Sequence, residues 1–374
     1  MIYLDYCANT PADQDILDEF VRLEQEYIGN ANAAYDPGLQ SKAMIEKGLE
    51  EISNILNIRP SEIIFTSGAS EANNLAAKGY ALANRHYGRH IISNQLEHPS
   101  LSGALTFLQE RGFEIEMCRL DDQGRIDIEH LRNIIREDTI LVSACALDSE
   151  LGIMQPLEQI RQIVSSYPHC ALLCDGTQAL GKIPVDLSCC DLFSLSAHKF
   201  FGLNGSGLLY KREDIALEPL IHGGHSTSIY RSGTPTLALD LCLASALKKA
   251  IETQSEHHAY VETLNDELRH FFSQFARVQI NSPADAAAEI LNIGIEGIKG
   301  SMVRDLFNEK GVCVSLKSAC SVESLPSKAI MAMYHDRKRA LSSLRISLSY
   351  KSTFAEIAEF EKIFAQIYRS FYVS

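Results

Sequence analysis

The chain has 374 residues, 46% of them apolar, and a formal net charge of -14. This length predicts about two globular domains, and the acidic balance argues against a surface that follows nucleic-acid phosphates. The first residues, "MIYLDYCANT", lack the basic and apolar regions of a signal peptide, and no apolar run reaches the roughly 18 residues of a membrane span. We therefore expect a cytoplasmic protein whose ten cysteines are reduced.

Short apolar runs alternate with helical patterns from about residue 60 to residue 235. The runs that predict strands are "EIIFTSG", "HIISNQ", "FEIEMCRL", "ILVSACAL", "ALLCDG", "LFSLSAH" and "GLLYKR". The segments that predict helices are "EANNLAAKGYALANRHYG", "HPSLSGALTFLQERG", "IEHLRNIIRE" and "LEQIRQIVSSY". This alternation predicts an α/β fold with a mostly parallel sheet that is covered on both faces.

The C-terminal third has a different pattern. Residues near 236 to 275 are predicted to form one long or broken helix, which leads away from the first region. The later segments "VQINS", "EILNIGI", "VCVSL" and "SLRISLS" indicate strands with helices between them, as in a smaller α+β domain. We therefore assign residues 15–240 to a large domain, and residues 1–14 with 241–374 to a small domain. The first dozen residues are expected to pack near the junction.

Two strand ends carry residues suited to a ligand, because ligands of open α/β sheets collect at the carboxyl ends of the strands. "FTSGASEANN" places Gly68, Ala69 and Ser70 between a strand and a helix, where free N–H groups and the helix dipole favour a phosphate. "NQLEHPS" places His98 at the end of the next strand. A lone histidine is more often structural, so these two features need further support.

That support comes from Asp175 and Lys199. Asp175 ends an apolar run and is followed by Gln178, and Lys199 ends a later strand in "SAHKFFGLNGSGLLY". A carboxylate at the end of a buried strand needs a partner such as a cationic ring nitrogen. An aspartate for a pyridinium nitrogen and a lysine for a Schiff base are what pyridoxal phosphate requires of a protein.

The chain resembles the cysteine desulfurases, which belong to the class V aminotransferase group of fold type I pyridoxal-phosphate enzymes. The resemblance extends from residue 2 to about residue 356. The motifs that carry it are "SLSAHKFFGLNGSGLLY", "FTSGASEANN", "LEHPS", "DGTQALGKIPVDL", "RSGT" and "SLRISLS". It implies a large domain with a mostly parallel sheet and a smaller α+β C-terminal domain.

The resemblance also implies roles around the cofactor ring. Lys199 would form the Schiff base and later carry the proton between the substrate and the cofactor. Asp175 would keep the ring nitrogen protonated, Gln178 would bond the phenolic oxygen, and His98 would stack on the ring. Ser149 occupies the position of an asparagine that contacts the ring oxygen in the family.

Other residues would bind the phosphate and the substrate. Ala69 and Ser70, with Ser196 and His198, would hold the phosphate. Thr234, in "RSGT", would reach the phosphate of the other subunit's cofactor, which implies a homodimer with shared sites. Arg345 would bind the substrate carboxylate, because its planar, two-pronged donor fits that group.

Cys320, in "LKSACSVESLP", matches the family's nucleophile. Its thiolate would attack the sulfur of L-cysteine, leaving a persulfide and releasing L-alanine. The persulfide sulfur would then pass to an acceptor, either a tRNA-thiolation enzyme or an iron–sulfur scaffold. A thiolate is required for this attack, and Lys317 or His98 would lower the pKa of the Cys320 thiol. The other cysteines we singled out are predicted to be small buried hydrophobic residues: Cys145, Cys174, Cys242 and Cys313.

Three segments depart from the family pattern. "GNANAAYDPG" has Tyr35 at a histidine position, "LDSELG" has Ser149 at an asparagine position, and "GGHSTSIY" has Ser228 in place of an arginine. All three lie where family members meet the substrate or the partner subunit. The cofactor-binding residues are retained while the substrate rim is changed.

These departures leave three hypotheses open. The first is a cysteine desulfurase. The second is another enzyme of the same fold, such as a C–S lyase, a selenocysteine lyase or an aminotransferase, whose activity would not depend on Cys320. The third is a binding protein that keeps the cofactor but has lost turnover.

No metal site is predicted. Three pairs of metal-ligating residue types lack a complete zinc spacing, and packing explains them better. They are Cys170 with Cys174, Cys189 with Cys190, and His222 with His225.

Overall fold

The computed structural model describes residues 1–224, 226–317 and 325–372. The strands of these residues are β1 (Ile2–Tyr3), β2 (Ile63–Thr66), β3 (His90–Ser93), β4 (Glu114–Met117), β5 (Thr139–Cys145), β6 (Ala171–Asp175), β7 (Leu192–Ser196), β8 (Gly207–Lys211), β9 (Val278–Ile280), β10 (Ile290–Ile295), β11 (Val312–Cys313) and β12 (Ser343–Ser347).

The α-helices of the same residues are α1 (Gln14–Glu26), α2 (Asp36–Leu56), α3 (Ala69–Asn74), α4 (Tyr80–Asn84), α5 (Pro99–Gln109), α6 (Ile128–Ile134), α7 (Leu157–Val164), α8 (Leu237–Glu252), α9 (Gln254–Ser273), α10 (Gly300–Glu309), α11 (Lys328–Tyr334), α12 (Arg337–Ser342) and α13 (Phe354–Tyr372). A π-helical segment, Leu75–Gly79, joins α3 to α4. No helix in the described ranges is long and apolar enough to cross a bilayer.

The large sheet has seven strands in the order β2-β8-β7-β6-β5-β3-β4. The strands from β7 to β4 pair in parallel, while β8 runs antiparallel to both β2 and β7. Alternate residues point to opposite faces, so Leu172 and Leu173 of β6 belong to different hydrophobic clusters. Both faces are therefore covered, as the continuous apolar runs predict.

A second sheet has the order β12-β10-β9 and is antiparallel. Its core includes Val261 and Leu268 of α9 with Phe360 of α13. The first residues lie between the two cores: Leu4 belongs to this cluster and Cys7 to the large one. β1 pairs in parallel with β11.

The predicted α/β class is confirmed, and all seven predicted strands of the large sheet are present. The predicted helix near 236 to 275 is broken at Thr253, between α8 and α9. "VCVSL" contributes only the two residues of β11. The expectation that Cys313 is buried is wrong, because this residue of a short strand is only half-buried. The domain boundaries stay a prediction.

Candidate active site

A cavity of about 270 Å³ lies at the carboxyl ends of the parallel strands. Its walls contain ten of the side chains predicted from the sequence, which come from distant parts of the chain. They are Ala69, Ser70, His98, Ser149, Asp175, Gln178, Ser196, His198, Lys199 and Arg345. The sheet topology explains this assembly, because β6 and β7 are adjacent and end at the same edge.

Lys199 ends a short 3-10 turn, Ala197–Lys199, that follows β7 directly. Its Nζ donates hydrogen bonds to the carbonyl oxygens of Cys7 and Ala8, both at 2.7 Å. The turn is tied to the N-terminal segment by Thr10, whose N–H and hydroxyl both donate to the His198 carbonyl at 2.9 Å. The N-terminal segment therefore positions the lysine amine at the cavity wall.

Asp175 is the last residue of β6 and is buried at the base of the cavity. One carboxylate oxygen accepts a hydrogen bond from Asn73 Nδ2 at 2.8 Å. The other accepts the Thr177 N–H at 2.9 Å. The Ser194 hydroxyl donates to Asn73 Oδ1 at 2.6 Å and so orients the amide that binds Asp175. These bonds hold the carboxylate in place at the cavity wall, where it can serve a cationic partner.

Gln178 and Lys182 form a second buried unit beside Lys199. Gln178 donates from Nε2 to the Cys7 carbonyl at 2.9 Å, and its Oε1 accepts from Lys182 Nζ at 3.2 Å. Lys182 Nζ also donates to the Lys199 carbonyl at 3.3 Å. Burial lowers the pKa of Lys182. Because its oxygen faces this lysine, the Gln178 amide presents its NH₂ group on the opposite side.

His98 caps the N-terminus of α5, where its Nδ1 accepts the Ser100 N–H at 3.2 Å. Burial lowers the pKa of His98, and the nearby Lys199 lowers it further while Asp175 opposes the shift. The imidazole is therefore neutral near pH 7. Because Nδ1 is an acceptor, we infer that the proton resides on Nε2.

A recess beside Gly68 is lined by residues that follow β2 and by residues at the end of β7. Ser196 Oγ is 2.8 Å from His198 Nδ1, and burial, with the charges of Lys199 and Lys182, lowers the pKa of His198 to about 4. Gly68 has φ +140°, and a Cβ atom there would lie 3.2 Å from Ser196 Oγ. A larger residue at position 68 would therefore fill this recess.

Arg345 on β12 is 1% exposed. Its Nη1 donates to the Ser149 carbonyl at 2.9 Å, its Nη2 pairs with Asp5 at 2.7 Å, and its Nε has no partner among the described residues. Burial disfavours the charged form, but the nearby Cys7 and Asp5 outweigh this effect and raise the pKa of Arg345. The guanidinium is a fixed cation at one wall of the cavity.

Several predicted residues lie elsewhere. Thr234 is exposed and does not line this cavity, and its predicted contact with a partner's cofactor is not tested. Tyr35 is 57% exposed and precedes α2, and Ser228 accepts a hydrogen bond from the Tyr230 N–H. Cys320 lies outside the described residues.

The residues considered as metal ligands have other surroundings. Cys170, Cys174 and Cys190 are buried, and Cys189 is half-buried. His222 is exposed, and His225 lies outside the described residues. Within the described ranges, one different cluster brings metal-ligating side chains together at the edge of the large sheet, but an arginine, Arg136, pairs with one of its carboxylates. That cluster is His90, Glu114 and Glu116.

Sequence reasoning did not identify some side chains that complete the site. The sequence predicted no role for Asn73, Asp5 or Lys182, although each of them contacts a predicted site residue. Two carboxyl groups near the cavity were also missed. Burial raises the pKa of Glu97 to about 8 and that of Asp148 to about 7. Asn73 and Asp5 lie far along the sequence from their partners, and the contact between Lys182 and Gln178, although local, follows no pattern that would indicate a buried lysine.

The cavity fits pyridoxal phosphate. The buried hydroxyl of Thr177 lines it and has no partner among the described residues, and the Gly68 recess leaves room for an anion beside Ser196 and His198. Asp175 supplies a carboxylate for a ring nitrogen, and the Gln178 amide supplies a donor. Lys199 is the amine within the same cavity.

The chain is similar to proteins of a known family over nearly its whole length. The family model described as "Aminotransferase class-V" matches residues 2–360. The cysteine desulfurase IscS of Clostridium botulinum is 32% identical over 366 residues, which cover 95% of this chain and 91% of the relative.

Two solved structures are similar over most of their length. A NifS-like protein has a TM-score of 0.92 and 32% identity, and 98% of each chain is covered. A structure of SspA in complex with cysteine has a TM-score of 0.82 and 28% identity, covering 94% of this chain and 100% of that one. These similarities confirm the predicted fold type I architecture. This chain belongs to the aminotransferase class-V family.

Proposed function

We propose that this protein is a pyridoxal-phosphate-dependent cysteine desulfurase that converts L-cysteine to L-alanine. The observation that carries this proposal is one cavity whose walls combine Lys199, Asp175, His98 and Arg345. Relatives of nearly the same length named cysteine desulfurase support it, as does the similar SspA structure, which contains cysteine.

Each of these residues has a distinct task in this proposal. The bound cofactor supplies an electron-accepting ring that stabilises negative charge on a substrate carbon. Lys199 holds the cofactor covalently and moves a proton to or from the substrate Cα. Asp175 pairs with the ring nitrogen. His98 would lie against the ring and holds a proton at Nε2, and Arg345 would bind the substrate carboxylate.

Sulfur transfer to Cys320 follows from the family motif. The C–S bond of cysteine breaks and an S–S bond forms at Cys320, so L-cysteine and a thiol become L-alanine and a persulfide. No external oxidant is needed for this exchange. The persulfide sulfur then passes to an acceptor protein, for which we propose a tRNA-thiolation enzyme or an iron–sulfur scaffold.

We further propose a cytoplasmic homodimer in which Thr234 contacts the cofactor phosphate of the partner subunit. Thr234 is exposed and lies in a segment that also exposes the apolar side chain of Ile229. The segment is anchored to its own subunit by an ion pair between Arg231 and Glu71 at 3.0 Å.

The test measures alanine and sulfide released from L-cysteine in the presence of a reducing thiol. Cys320→Ala should abolish both products while the cofactor remains bound. Cys313→Ala, at a half-buried thiol outside the cavity, is the matched control and should keep activity. Lys199→Ala should lose the absorbance of the lysine-bound cofactor.

A second candidate is a C–S lyase that works without Cys320, and the short side chain of Ser149 at the cavity wall favours it. Full turnover by Cys320→Ala, with pyruvate in place of alanine, would support the lyase and contradict the desulfurase.

A further inference from the structure

A hydrogen-bond network lies behind the walls of the candidate active site. Its three side chains, which we call the polar relay, are Ser194 on β7, Asn73 on α3 and Ser100 on α5. Asn73 and Ser194 are fully buried and Ser100 is half-buried. None of these three residues lines the active-site cavity. The polar relay can therefore act on a bound molecule only through the residues that it holds.

The amide of Asn73 has a defined orientation in the polar relay. The Ser194 hydroxyl donates to Asn73 Oδ1 at 2.6 Å, and Asn73 Nδ2 donates to the Asp175 carboxylate at 2.8 Å. The reversed amide would set its oxygen against a carboxylate oxygen and its NH₂ group against the serine hydroxyl. The NH₂ group therefore faces Asp175, and its second proton remains for another acceptor.

That second acceptor is Ser100 Oγ, which lies 3.0 Å from Asn73 Nδ2. Ser100 contacts His98 twice, because its Oγ lies 2.8 Å from Nδ1 and its N–H donates to the same nitrogen at 3.2 Å. Since Nδ1 accepts the backbone N–H, it carries no proton, and the hydroxyl is the donor in the shorter contact. The Asn73 N–H occupies a lone pair of Oγ and so limits the directions open to the hydroxyl proton.

The polar relay thus joins two side chains that come from different parts of the large domain. Asp175 ends β6, His98 precedes α5, and both line the active-site cavity. Burial lowers the pKa of His98, Asp175 raises it, and Lys199 lowers it. The two donors at Nδ1 act in the same direction as burial, because hydrogen bonds to the neutral ring oppose a second proton.

We propose that Asn73 is a positioning residue shared by the two groups that would face the cofactor ring. One N–H of its amide orients Asp175, and the other acts through Ser100 to hold the His98 proton on Nε2. This inference rests on the proposed function only for the cofactor that these groups would face. It extends that proposal from the residues lining the cavity to those that fix their orientation, and Ser194 in turn fixes the amide.

The first test reads the proton position on His98. Nitrogen NMR of the full chain with labelled histidine is recorded with and without pyridoxal phosphate, and the spectrum of His98→Gln assigns the signals. The parent should show a protonated Nε2 and an unprotonated Nδ1. Ser100→Ala removes one donor to Nδ1 and should raise the pKa of His98 by roughly half a unit to one unit. Asn73→Ala should shift it in the same direction, because the Ser100 hydroxyl can then turn away.

Cofactor affinity separates the two branches of the polar relay. Fluorescence titration with pyridoxal phosphate should show roughly three- to tenfold weaker binding to Asn73→Ala, because Asp175 loses a donor that orients it. Ser100→Ala keeps that bond and should bind the cofactor like the parent. Ser194→Ala releases the amide and should also weaken binding, so the test can be completed if Asn73→Ala does not fold.

Two neighbouring residues of the same types provide matched controls. Asn74 donates from Nδ2 to the backbone carbonyls of Ser70 and Ser100 at 2.9 and 3.2 Å. The Ser102 hydroxyl donates to the Pro99 carbonyl at 3.4 Å. Asn74→Ala and Ser102→Ala remove side chains of the same size from the same two helical segments, and both variants should match the parent in both measurements.

Three outcomes would overturn the proposal. One is an unchanged pKa of His98 in Ser100→Ala, and another is unchanged cofactor affinity in both Asn73→Ala and Ser194→Ala. The third is an equal loss of affinity in Ser100→Ala and Asn73→Ala, since the two branches would then not be separate.

Alanine release from L-cysteine is measured in parallel, so that the two proposals can fail separately. If the parent releases no alanine while the variants shift the pKa and the affinity as expected, only the desulfurase is contradicted. If the parent releases alanine and the variants shift neither quantity, only the positioning role of Asn73 is contradicted.

Discussion

Lys182 donates a hydrogen bond to Gln178 at 3.2 Å, and both side chains are buried beside the candidate active site. This contact turns the amide of Gln178 so that its NH₂ group faces away from the lysine, toward the Cys7 carbonyl. Lys182 is thus a positioning residue, because it acts through Gln178 and does not itself line the candidate active-site cavity.

Lys182→Met should weaken cofactor binding about tenfold or more, because a hydrogen bond to a charged group contributes roughly 1.5–3 kcal/mol. The free energy of unfolding of the cofactor-free protein should stay the same or rise, since a buried cation is replaced by an apolar side chain. Fluorescence titration with pyridoxal phosphate and urea denaturation measure the two quantities. Lys362→Met, at an exposed lysine, is the control. Unchanged cofactor affinity would contradict the positioning role.

Asn73→Ala should destabilise the fold, because it removes the 2.8 Å hydrogen bond to the buried Asp175 carboxylate. We expect a loss of about 1.5–3 kcal/mol in the free energy of unfolding. Asn84→Ala removes a bond of similar length to the neutral Tyr80 carbonyl and should cost about 1 kcal/mol. Chemical denaturation measures both values. If the two variants lose the same free energy of unfolding, the bond to Asp175 contributes no more than a bond to a neutral carbonyl.

Two buried carboxyl groups near the active-site cavity, Glu97 and Asp148, should make stability depend on pH. Burial raises the pKa of Glu97 to about 8 and that of Asp148 to about 7, whereas the unfolded groups ionise near pH 4. Between these values the folded state binds more protons than the unfolded state, so stability falls as the pH rises from 5 to 8.

Glu97→Gln should therefore flatten this dependence and be more stable than the parent at pH 8, by on the order of 3 kcal/mol. Urea denaturation at pH 5, 6.5 and 8 measures the effect, with Glu110→Gln for comparison. Parallel pH profiles for the parent and Glu97→Gln would be inconsistent with a protonated Glu97.

Ile229→Asp should weaken self-association, because Ile229 is 64% exposed in the segment that carries Thr234. Sedimentation of the parent should give about twice the chain mass of 41.5 kDa, and the variant should shift toward the single-chain mass at low concentration. Met302→Asp changes an apolar side chain of similar exposure on α10 and should sediment like the parent. A single-chain mass for the parent would refute the homodimer.

Local patterns predicted most of the fold. Most strands of the large sheet are largely apolar runs between turn residues, as a buried parallel sheet requires. The edge strand β4 instead alternates glutamates with apolar residues. The ends of the two-residue strand β11 could not be predicted from an apolar run, because they depend on pairing with the distant residues Ile2 and Tyr3. The half-burial of Cys313 follows from the same short pairing.

The candidate site was predictable where residue type and strand position coincide. Asp175 and Lys199 follow neighbouring strands, so their meeting in one cavity follows from topology. The contact between Lys182 and Gln178 lies within one turn and still was not predicted, because a buried lysine has no local pattern. Glu97 and Asp148 belong to different loops, and only the folded chain brings them to the wall of one cavity.

The pairing of β1 with β11 has a consequence for biosynthesis. Lys199 is held by the carbonyls of Cys7 and Ala8, which lie just after β1, and β1 finds its strand partner at Val312 and Cys313. Strand β1 can therefore pair only after β11, which follows the whole large sheet in the chain, has been synthesised. The carbonyl groups that hold the Lys199 amine are therefore fixed late in folding. Truncated chains that end before β11 should form the large sheet but leave this amine without its two carbonyl partners.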